Sequence, residues 1–255
     1  MTEDPKIHWT ETGAECSARW RSESAAAPPK RIVIANDQMT ADAAYRLASE
    51  GTAMLWRGDF HNAKQLMQAI ARRVDRKTQK PTATPIDAFN QHRQAQAQRA
   101  RTLGMLLLQF DDDYRINLRR APDVTQACAE AYGPADEPFV ASLRELLGII
   151  GAHEWRKKGI DIPAAGGRIH PHYGVFAPVR SEYVKLVNDA PLPSTSLAFD
   201  IGTGTGVLAA VLARRGVQEI IATDQDQRAL NCARENMARL GYAEKVEIVE
   251  ADLFP

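Results

Sequence analysis

The stretch that decides the fold is Phe199–Val207, which reads FDIGTGTGV. It places Asp200 and three alternating glycines between an apolar run and a helix-forming run. The glycines are Gly202, Gly204 and Gly206. A strand that ends in a glycine loop and continues into a helix brings bare backbone N–H groups against a nucleoside-type ligand. The stretch therefore predicts the first strand, loop and helix of a Rossmann-like sheet.

The residues around this loop alternate between strand and helix patterns. LAFDI (197–201), EIIAT (219–223) and VEIVE (246–250) are apolar runs typical of buried parallel strands. Residues 207–215 and 227–240 between them have helical spacing. This order is typical of an α/β fold with a doubly wound sheet, of which residues 197–255 supply the first half.

The preceding residues divide into three predicted segments. Residues 1–30 are polar and end in AAAPPK, so we expect a flexible arm. Residues 31–158 are predicted to form a mostly helical substrate-recognition domain, with one short strand at RIVIA (31–35). Residues 159–196 are rich in Gly and Pro and are expected to form a linker with a hairpin and a short helix over 181–187.

Several elements within the helical segment can be predicted individually. Thr40 and Gly51 are a plausible N-cap and C′ residue for the helix between them. A longer helix is expected over 86–108, and Pro122 suits the first position of another. A strongly amphipathic helix is predicted from Phe139 to Lys158. Residues 106–118 are ambiguous, because their alternation also suits a hairpin.

Composition excludes several classes of protein. The 255 residues contain 32 basic and 32 acidic side chains, so there is no overall polyelectrolyte character. No apolar stretch approaches the roughly 20 residues that cross a bilayer, and the N-terminus lacks a secretory signal. Cys16, Cys128 and Cys232 are far apart and odd in number, which argues against a disulfide framework. We expect a cytoplasmic protein without a membrane partner.

The ligand of the glycine loop follows from its spacing and charge. A dinucleotide fingerprint requires G-x-G-x-x-G, but Val207 occupies the third glycine position. Asp200 would repel a pyrophosphate by about 1 kcal/mol even when screened by solvent. S-adenosyl-L-methionine (AdoMet) reverses that preference, because its methionine half carries an ammonium and a sulfonium. The loop therefore favours AdoMet.

Two further acids support a nucleoside ligand. Asp224 follows Gly204 by 20 residues, the spacing expected of an acid that accepts hydrogen bonds from ribose hydroxyls. Asp252, after the third strand, is placed to accept from an adenine amine, although a turn or helix cap is nearly as good an interpretation. The glycines alone could form only a tight turn, but strand, acid, loop, helix, strand and acid in register make that alternative weak.

Three consecutive motifs carry a family resemblance. DIGTGTGVLAAVLARRG, IIATDQDQRALNCARENMARLG and VEIVEADLFP resemble the class I AdoMet-dependent methyltransferases, in particular the "small domain" group of release-factor glutamine and ribosomal RNA guanine methyltransferases. The resemblance implies that Asp200 and the loop hold the methionine end, Asp224 the ribose, and Gln225, Asp252 and Leu253 the adenine. The loop residues concerned are Gly202, Thr203, Gly204 and Gly206.

The resemblance also implies where catalysis resides. The family grips its acceptor nitrogen with an Asn-Pro-Pro-aromatic tetrapeptide after the fourth strand, and this sequence contains none. We therefore assign no catalytic residue, expect that element beyond Pro255, and hypothesise that the 255 residues are an incomplete piece of a longer protein. His172–Val187 resembles the segment that lines the AdoMet pocket entrance in the glutamine methyltransferases, although Pro178-Val179-Arg180 departs from its usual Pro-Arg-Pro order.

The sequence does not decide which molecule accepts the methyl group. Ten basic and three acidic residues lie between Arg57 and Arg101, a balance that suits either an RNA-binding surface or ordinary solvated helix faces. We favour an N-methyltransferase that acts on an RNA base amine. The alternatives are a protein glutamine methyltransferase and a non-catalytic assembly factor with the AdoMet fold. His170 and His172 offer only two ligands, so no metal site is predicted.

Overall fold

The computed structural model describes residues 5–76, 84–180 and 182–253, and it divides into two compact units, Met1–Gly148 and Ile149–Pro255. The boundary expected at residue 158 is wrong, because the division falls inside a helix, α5 (Leu143–Lys158). The Gly- and Pro-rich sequence from Gly159 marks the end of α5, whereas the division between the two compact units lies earlier, within the helix.

A six-stranded sheet forms the centre of the first unit. Its strands are β1 (Lys6–Glu11), β2 (Ala14–Trp20), β3 (Arg31–Ala35), β4 (Thr52–Trp56), β5 (Leu106–Phe110) and β6 (Phe139–Ser142), in the order β1-β2-β6-β5-β4-β3. Strands β3, β4 and β5 are parallel neighbours, whereas β6 runs antiparallel to β5. The first unit is therefore an α/β structure in its own right.

The expected flexible arm is wrong for residues 6–20, which form the β1–β2 hairpin. Ile7 and Trp9 are buried while their neighbours in β1 are exposed, the period-two pattern of a half-buried strand. Thr12 and Gly13 both have positive φ and form the two-residue turn. Both this alternation and the Thr-Gly turn are short signals that the polar composition of the segment obscures.

The helices of the first unit flank this sheet. They are α1 (Ala41–Ser49), α2 (Phe60–Asp75), α3 (Pro85–Leu103), α4 (Thr125–Tyr132) and the first part of α5. The N-cap at Thr40 is confirmed, since its side chain accepts from the amide of Ala43. None of the helices in the described ranges is long and apolar enough to cross a membrane.

Four of the sequence predictions between α3 and α5 are wrong. The helix expected over 86–108 ends at Leu103, because the next apolar residues form β5 between two neighbouring strands. The hairpin alternative is also wrong, since β5 pairs with β6 and not with residues 114–118. Phe139 belongs to β6, where its ring stacks on Phe110 at 4.6 Å, and Pro122 precedes α4 without entering it.

The second unit contains a three-stranded parallel sheet with the order β11-β10-β9. The strands are β9 (Leu197–Ile201), β10 (Glu219–Asp224) and β11 (Val246–Glu250), and the helices are α6 (Glu182–Asp189), α7 (Val207–Arg214) and α8 (Gln227–Leu240). A small hairpin of β7 (Ile160–Ile162) and β8 (Gly167–Ile169) precedes them. The predicted strand–helix alternation is confirmed, as is the hairpin within 159–196. Ser181, predicted to begin α6, lies outside the described residues.

Candidate functional site

The glycine loop lies at the carboxyl end of β9, beside the end of β10. Gly202, Gly204 and Gly206 have φ values of +72°, +55° and +78°, a region that side-chain-bearing residues rarely adopt. Thr203 anchors the loop, because its amide donates to the carbonyl of Thr223 at 2.8 Å and its carbonyl accepts from the amide of Gly206 at 2.9 Å. Carboxyl ends of adjacent parallel strands are where open α/β sheets bind ligands.

The three glycines serve two different purposes. A Cβ atom on Gly202 would meet nothing within 4 Å, and one on Gly204 would only touch its neighbours at 4.0 Å. A Cβ on Gly206 would lie 3.0 Å from Met237 and 3.3 Å from Ala233 of α8. The first two glycines therefore leave a backbone cradle open, whereas the third lets helix α8 pack directly on the loop.

Asp200 is buried beneath the loop, with 7% of its surface exposed. Its Oδ2 accepts from the hydroxyl of Thr203 at 2.7 Å and from the amide of Ala209 at 3.0 Å. Ala209 is the third residue of α7, so the carboxylate satisfies an amide that has no partner within the helix. Burial raises the pKa of Asp200, while these two hydrogen bonds oppose the rise. Asp200 thus joins β9, the loop and the helix start.

Asp224 fixes the outer side of the loop. Its Oδ2 accepts from the amide of Gly204 at 3.0 Å, and its Oδ1 accepts from the amide of Asp226 at 3.0 Å. The acid predicted from spacing to contact a ribose is therefore brought to the glycine loop by the fold. Its role toward the ribose stays a prediction.

Gln225, Asp252 and Leu253, the three predicted adenine contacts, lie together at the ends of β10 and β11. The side-chain amide of Gln225 donates to Oδ1 of Asp252. The side chain of Leu253 is exposed, and its carbonyl accepts from the hydroxyl of Thr223 at 2.8 Å. Their roles toward adenine also stay predictions.

Sequence reasoning missed two aromatic residues in this unit. Burial, followed by the charge of Asp200, raises the pKa of Tyr183. Phe176 is 70% exposed, with its ring centroid 6.3 Å from that of Tyr183. The resemblance of His172–Val187 to a pocket entrance was the available signal, but it did not single out these side chains.

The paired histidines have protein partners. Nε2 of His172 lies 3.0 Å from Oε2 of Glu235, and Nδ1 of His170 lies 2.7 Å from the carbonyl of Arg156. Across residues 5–76, 84–180 and 182–253, no group of three or more His, Cys, Asp or Glu residues could hold a metal ion.

The strand, buried acid, glycine loop, helix and second acid are arranged as in class I AdoMet-dependent methyltransferase domains. An open backbone cradle between two carboxylates fits a ligand that carries an ammonium and a sulfonium. The family model for ribosomal protein L11 methyltransferases (PrmA) matches residues 185–254, which cover the whole of this site. The match supports AdoMet as the ligand of this site.

Curated relatives match the same part of the chain. A ribosomal protein L11 methyltransferase of Leuconostoc citreum is 43% identical over 54 residues, which are 21% of this chain and 18% of that protein. A tRNA1(Val) (adenine(37)-N6)-methyltransferase of Bacteroides fragilis is 39% identical over 62 residues, 24% of this chain and 26% of that protein. The chain thus spans about a quarter or less of the length of these relatives.

Solved structures of methyltransferase domains are also similar. The N-terminal domain of human METTL16 is 16% identical with a TM-score of 0.29, over 52% of this chain and 55% of that one.

Proposed function

We propose that the whole protein transfers a methyl group from AdoMet to a nitrogen atom of a macromolecule, and that this nitrogen is an RNA base amine. The observation that carries the proposal is the glycine loop, which is held by hydrogen bonds to the carboxylates of Asp200 and Asp224. Methyltransferases related to this segment act on large substrates, a ribosomal protein or a tRNA according to their names.

Each predicted site residue has a role in this proposal. Asp200 and the backbone of Gly202, Thr203, Gly204 and Gly206 hold the methionine end, and Asp224 accepts from the ribose hydroxyls. Gln225, Asp252 and Leu253 border the adenine. AdoMet supplies an electrophilic methyl group on a sulfonium sulfur. The protein contributes by fixing the donor, because positioning of two reactants accounts for much of the barrier in such displacements.

Charge in the first unit supports RNA as the acceptor. Arg73 and Arg99 form ion pairs with Asp42 and Asp75, at 2.7 and 2.8 Å. Further arginines on α2, at its C-cap and on α3 are exposed, namely Arg72, Arg76, Arg93 and Arg101. Exposed guanidinium groups along two helices suit contacts to a phosphate backbone.

A protein acceptor is the second candidate, and one observation favours it. The matching family model describes an enzyme named for a ribosomal protein. However, the match covers the donor site, which both classes of enzyme share, and not the residues that choose an acceptor.

Transfer of labelled methyl groups tests the proposal. The whole protein is incubated with AdoMet that carries a tritiated methyl group and with ribosomes or tRNA from cells that lack the enzyme. We expect label that nuclease releases and protease does not. Label that only protease releases would assign the protein acceptor, and no label in either fraction would contradict methyl transfer.

Charge variants locate the RNA surface. The double variant Arg76→Gln/Arg93→Gln should weaken RNA binding and lower the salt slope by about 1 per lost phosphate contact. The control Arg73→Gln/Arg99→Gln removes the same charge from the same helices, but its guanidinium groups already bind carboxylates. Equal losses in both variants would argue against an RNA surface formed by the exposed pair.

A further inference from the structure

Asn236 is a buried polar residue that the role of the donor site leaves unexplained. It lies on α8 with 0% of its surface exposed. Burial of an amide side chain is unfavourable unless its hydrogen-bonding groups find partners. A helix face that packs on a loop would ordinarily carry an apolar residue at such a position.

The partners of Asn236 lie on two separate segments. Its Nδ2 donates to the carbonyl of Thr205 in the glycine loop at 3.0 Å. Its Oδ1 accepts from the amide of His170 at 2.8 Å, and Nδ2 also lies 3.3 Å from the carbonyl of His170. One side chain therefore satisfies backbone groups of the loop and of the segment that follows β8.

Cys232, one turn earlier on α8, contacts only one of these segments. Its thiol lies 3.4 Å from the carbonyl of His170 and 3.4 Å from the amide of His172. The segment continues to Val175, whose Cγ1 would touch a Cβ atom on Gly204 at 4.0 Å. The residues from His170 to Val175 thus pass from α8 to the edge of the cradle.

We propose that Asn236 is a positioning residue for AdoMet, which sets the shape of the glycine loop through Thr205 and couples it to the wall formed by residues 170–175. Loss of the amide leaves the carbonyl of Thr205 without this donor, so the loop relaxes where it must meet the methionine end of AdoMet. The proposal rests on the AdoMet site and is independent of the acceptor.

AdoMet affinity of three variants, measured by calorimetry, tests this role. Asn236→Ala should raise the Kd for AdoMet at least 10-fold. Asn236→Asp keeps an acceptor for the amide of His170 but loses the donor to Thr205, so we expect a similar increase. Cys232→Ala removes contacts to His170 and His172 and a 3.5 Å contact to Nδ2 of Asn236, but it leaves the hydrogen bond from Asn236 to Thr205. It should therefore change the Kd less than 3-fold. Asn231→Ala, an exposed position on the same helix, is the control for helix substitution.

The result that overturns the proposal is a wild-type Kd in Asn236→Ala, or equal losses in Asn236→Ala and Cys232→Ala. Hydrogen exchange on the unmodified protein provides a test that needs no variant to fold. AdoMet should slow exchange of the amides of His170 and His172 together with those of the glycine loop. Protection confined to the loop would refute the coupling. Neither the AdoMet affinities nor the hydrogen-exchange rates depend on the methyl acceptor, so both tests stay valid if the protein does not methylate RNA.

Discussion

Asp59 and Glu11 in the first unit have a different kind of partner from Asp200 and Asp224 in the second. In the first unit, the side chain of Asp59 has no exposed surface, and its Oδ2 accepts from Nε of both Arg119 and Arg120 at 2.7 Å. Glu11 likewise receives two hydrogen bonds from Arg57. In the second unit, the described hydrogen bonds to Asp200 and Asp224 come from amides and a hydroxyl.

This difference separates structural charges from charges available to a ligand. The hydrogen bond from Arg120 holds the pKa of Asp59 well below its usual range, with further help from the amide of His61 and from Arg119. Burial raises the pKa of Asp200 instead. Dipoles hold an anion in place without cancelling its charge, so the acids of the loop retain an electrostatic attraction for a sulfonium and an ammonium.

Asp200→Ala should have the largest effect on the loop. The substitution removes a buried charge and the partner of the Ala209 amide, and hydrogen bonds to charged groups contribute about 1.5–3 kcal/mol each. We expect AdoMet affinity to fall about 100-fold, or about 3 kcal/mol, by calorimetry. Asp59→Ala is the matched comparison, because it removes a buried carboxylate that binds two arginines in the other unit. It should lower the melting temperature with AdoMet affinity unchanged. The reverse pattern would invalidate the distinction between the two units.

Asp224→Ala should weaken AdoMet binding by about 1–3 kcal/mol, since it removes the predicted ribose acceptor and the partner of the Gly204 amide. Asp226→Ala provides the control two residues later. Asp226 is the N-cap of α8 and accepts from the amide of Arg228 at 2.8 Å. Its loss should cost about 1 kcal/mol of stability and leave the Kd unchanged. Equal Kd values for wild type and Asp224→Ala would remove the ribose role.

Gly202→Ala tests whether AdoMet binding needs the open space above the glycine loop. Gly202 and Gly216 have φ values of +72° and +90°, and a Cβ on either would meet nothing within 4 Å. Both alanine variants should therefore lose about 1–2 kcal/mol of stability through backbone strain. Only Gly202→Ala places a methyl group where the ligand is proposed to lie, and we expect its Kd for AdoMet to rise about 10-fold. A similar rise in Gly216→Ala would mean that strain, not the cradle, sets affinity.

The smallest effect is expected from Glu11→Gln. The hydrogen bond from Arg57 lowers the pKa of Glu11 from 4.5 to about 2. A lowered carboxyl pKa contributes stability that is present above pH 4.5 and is lost as the pH falls toward 2. The variant should lose about 1 kcal/mol or less at neutral pH, as is usual for partly exposed ion pairs, and the difference should vanish near pH 2. A constant difference in urea unfolding across that range would contradict the ion-pair explanation.

The sequence predicted the second unit more closely than the first, for a physical reason. The strands at 197–201 and 246–250 and the helix at 227–240 have the predicted bounds, because short stretches rich in apolar residues alternate there with segments of helical spacing. In the first unit, β1 is a short alternating strand and β6 is four residues long. Such strands are specified mainly by their neighbours in the sheet, which a local pattern does not contain.

The candidate site shows the same limit. Spacing located Asp200 and Asp224, since Asp200 lies two residues before the first glycine of the loop and Asp224 ends the next strand, 20 residues after Gly204. The contacts of Asn236 could not be predicted from the sequence, because its partners His170 and Thr205 lie 66 and 31 residues away. Helical spacing places Asn236 on the same face as Cys232 and Ala233, but it does not show which backbone groups a polar side chain there would meet.

The buried cysteines offer a separate use of the structure. Cys128 lies in the first unit and Cys232 in the second, both with no exposed surface, and burial raises the pKa of their thiols to about 12 and about 11. A thiol that is both shielded and protonated reacts slowly with alkylating reagents. Each unit therefore contains one buried thiol whose alkylation reports its own unfolding. The labelling rates of Cys128 and Cys232 would measure the unfolding of the two units independently within one sample.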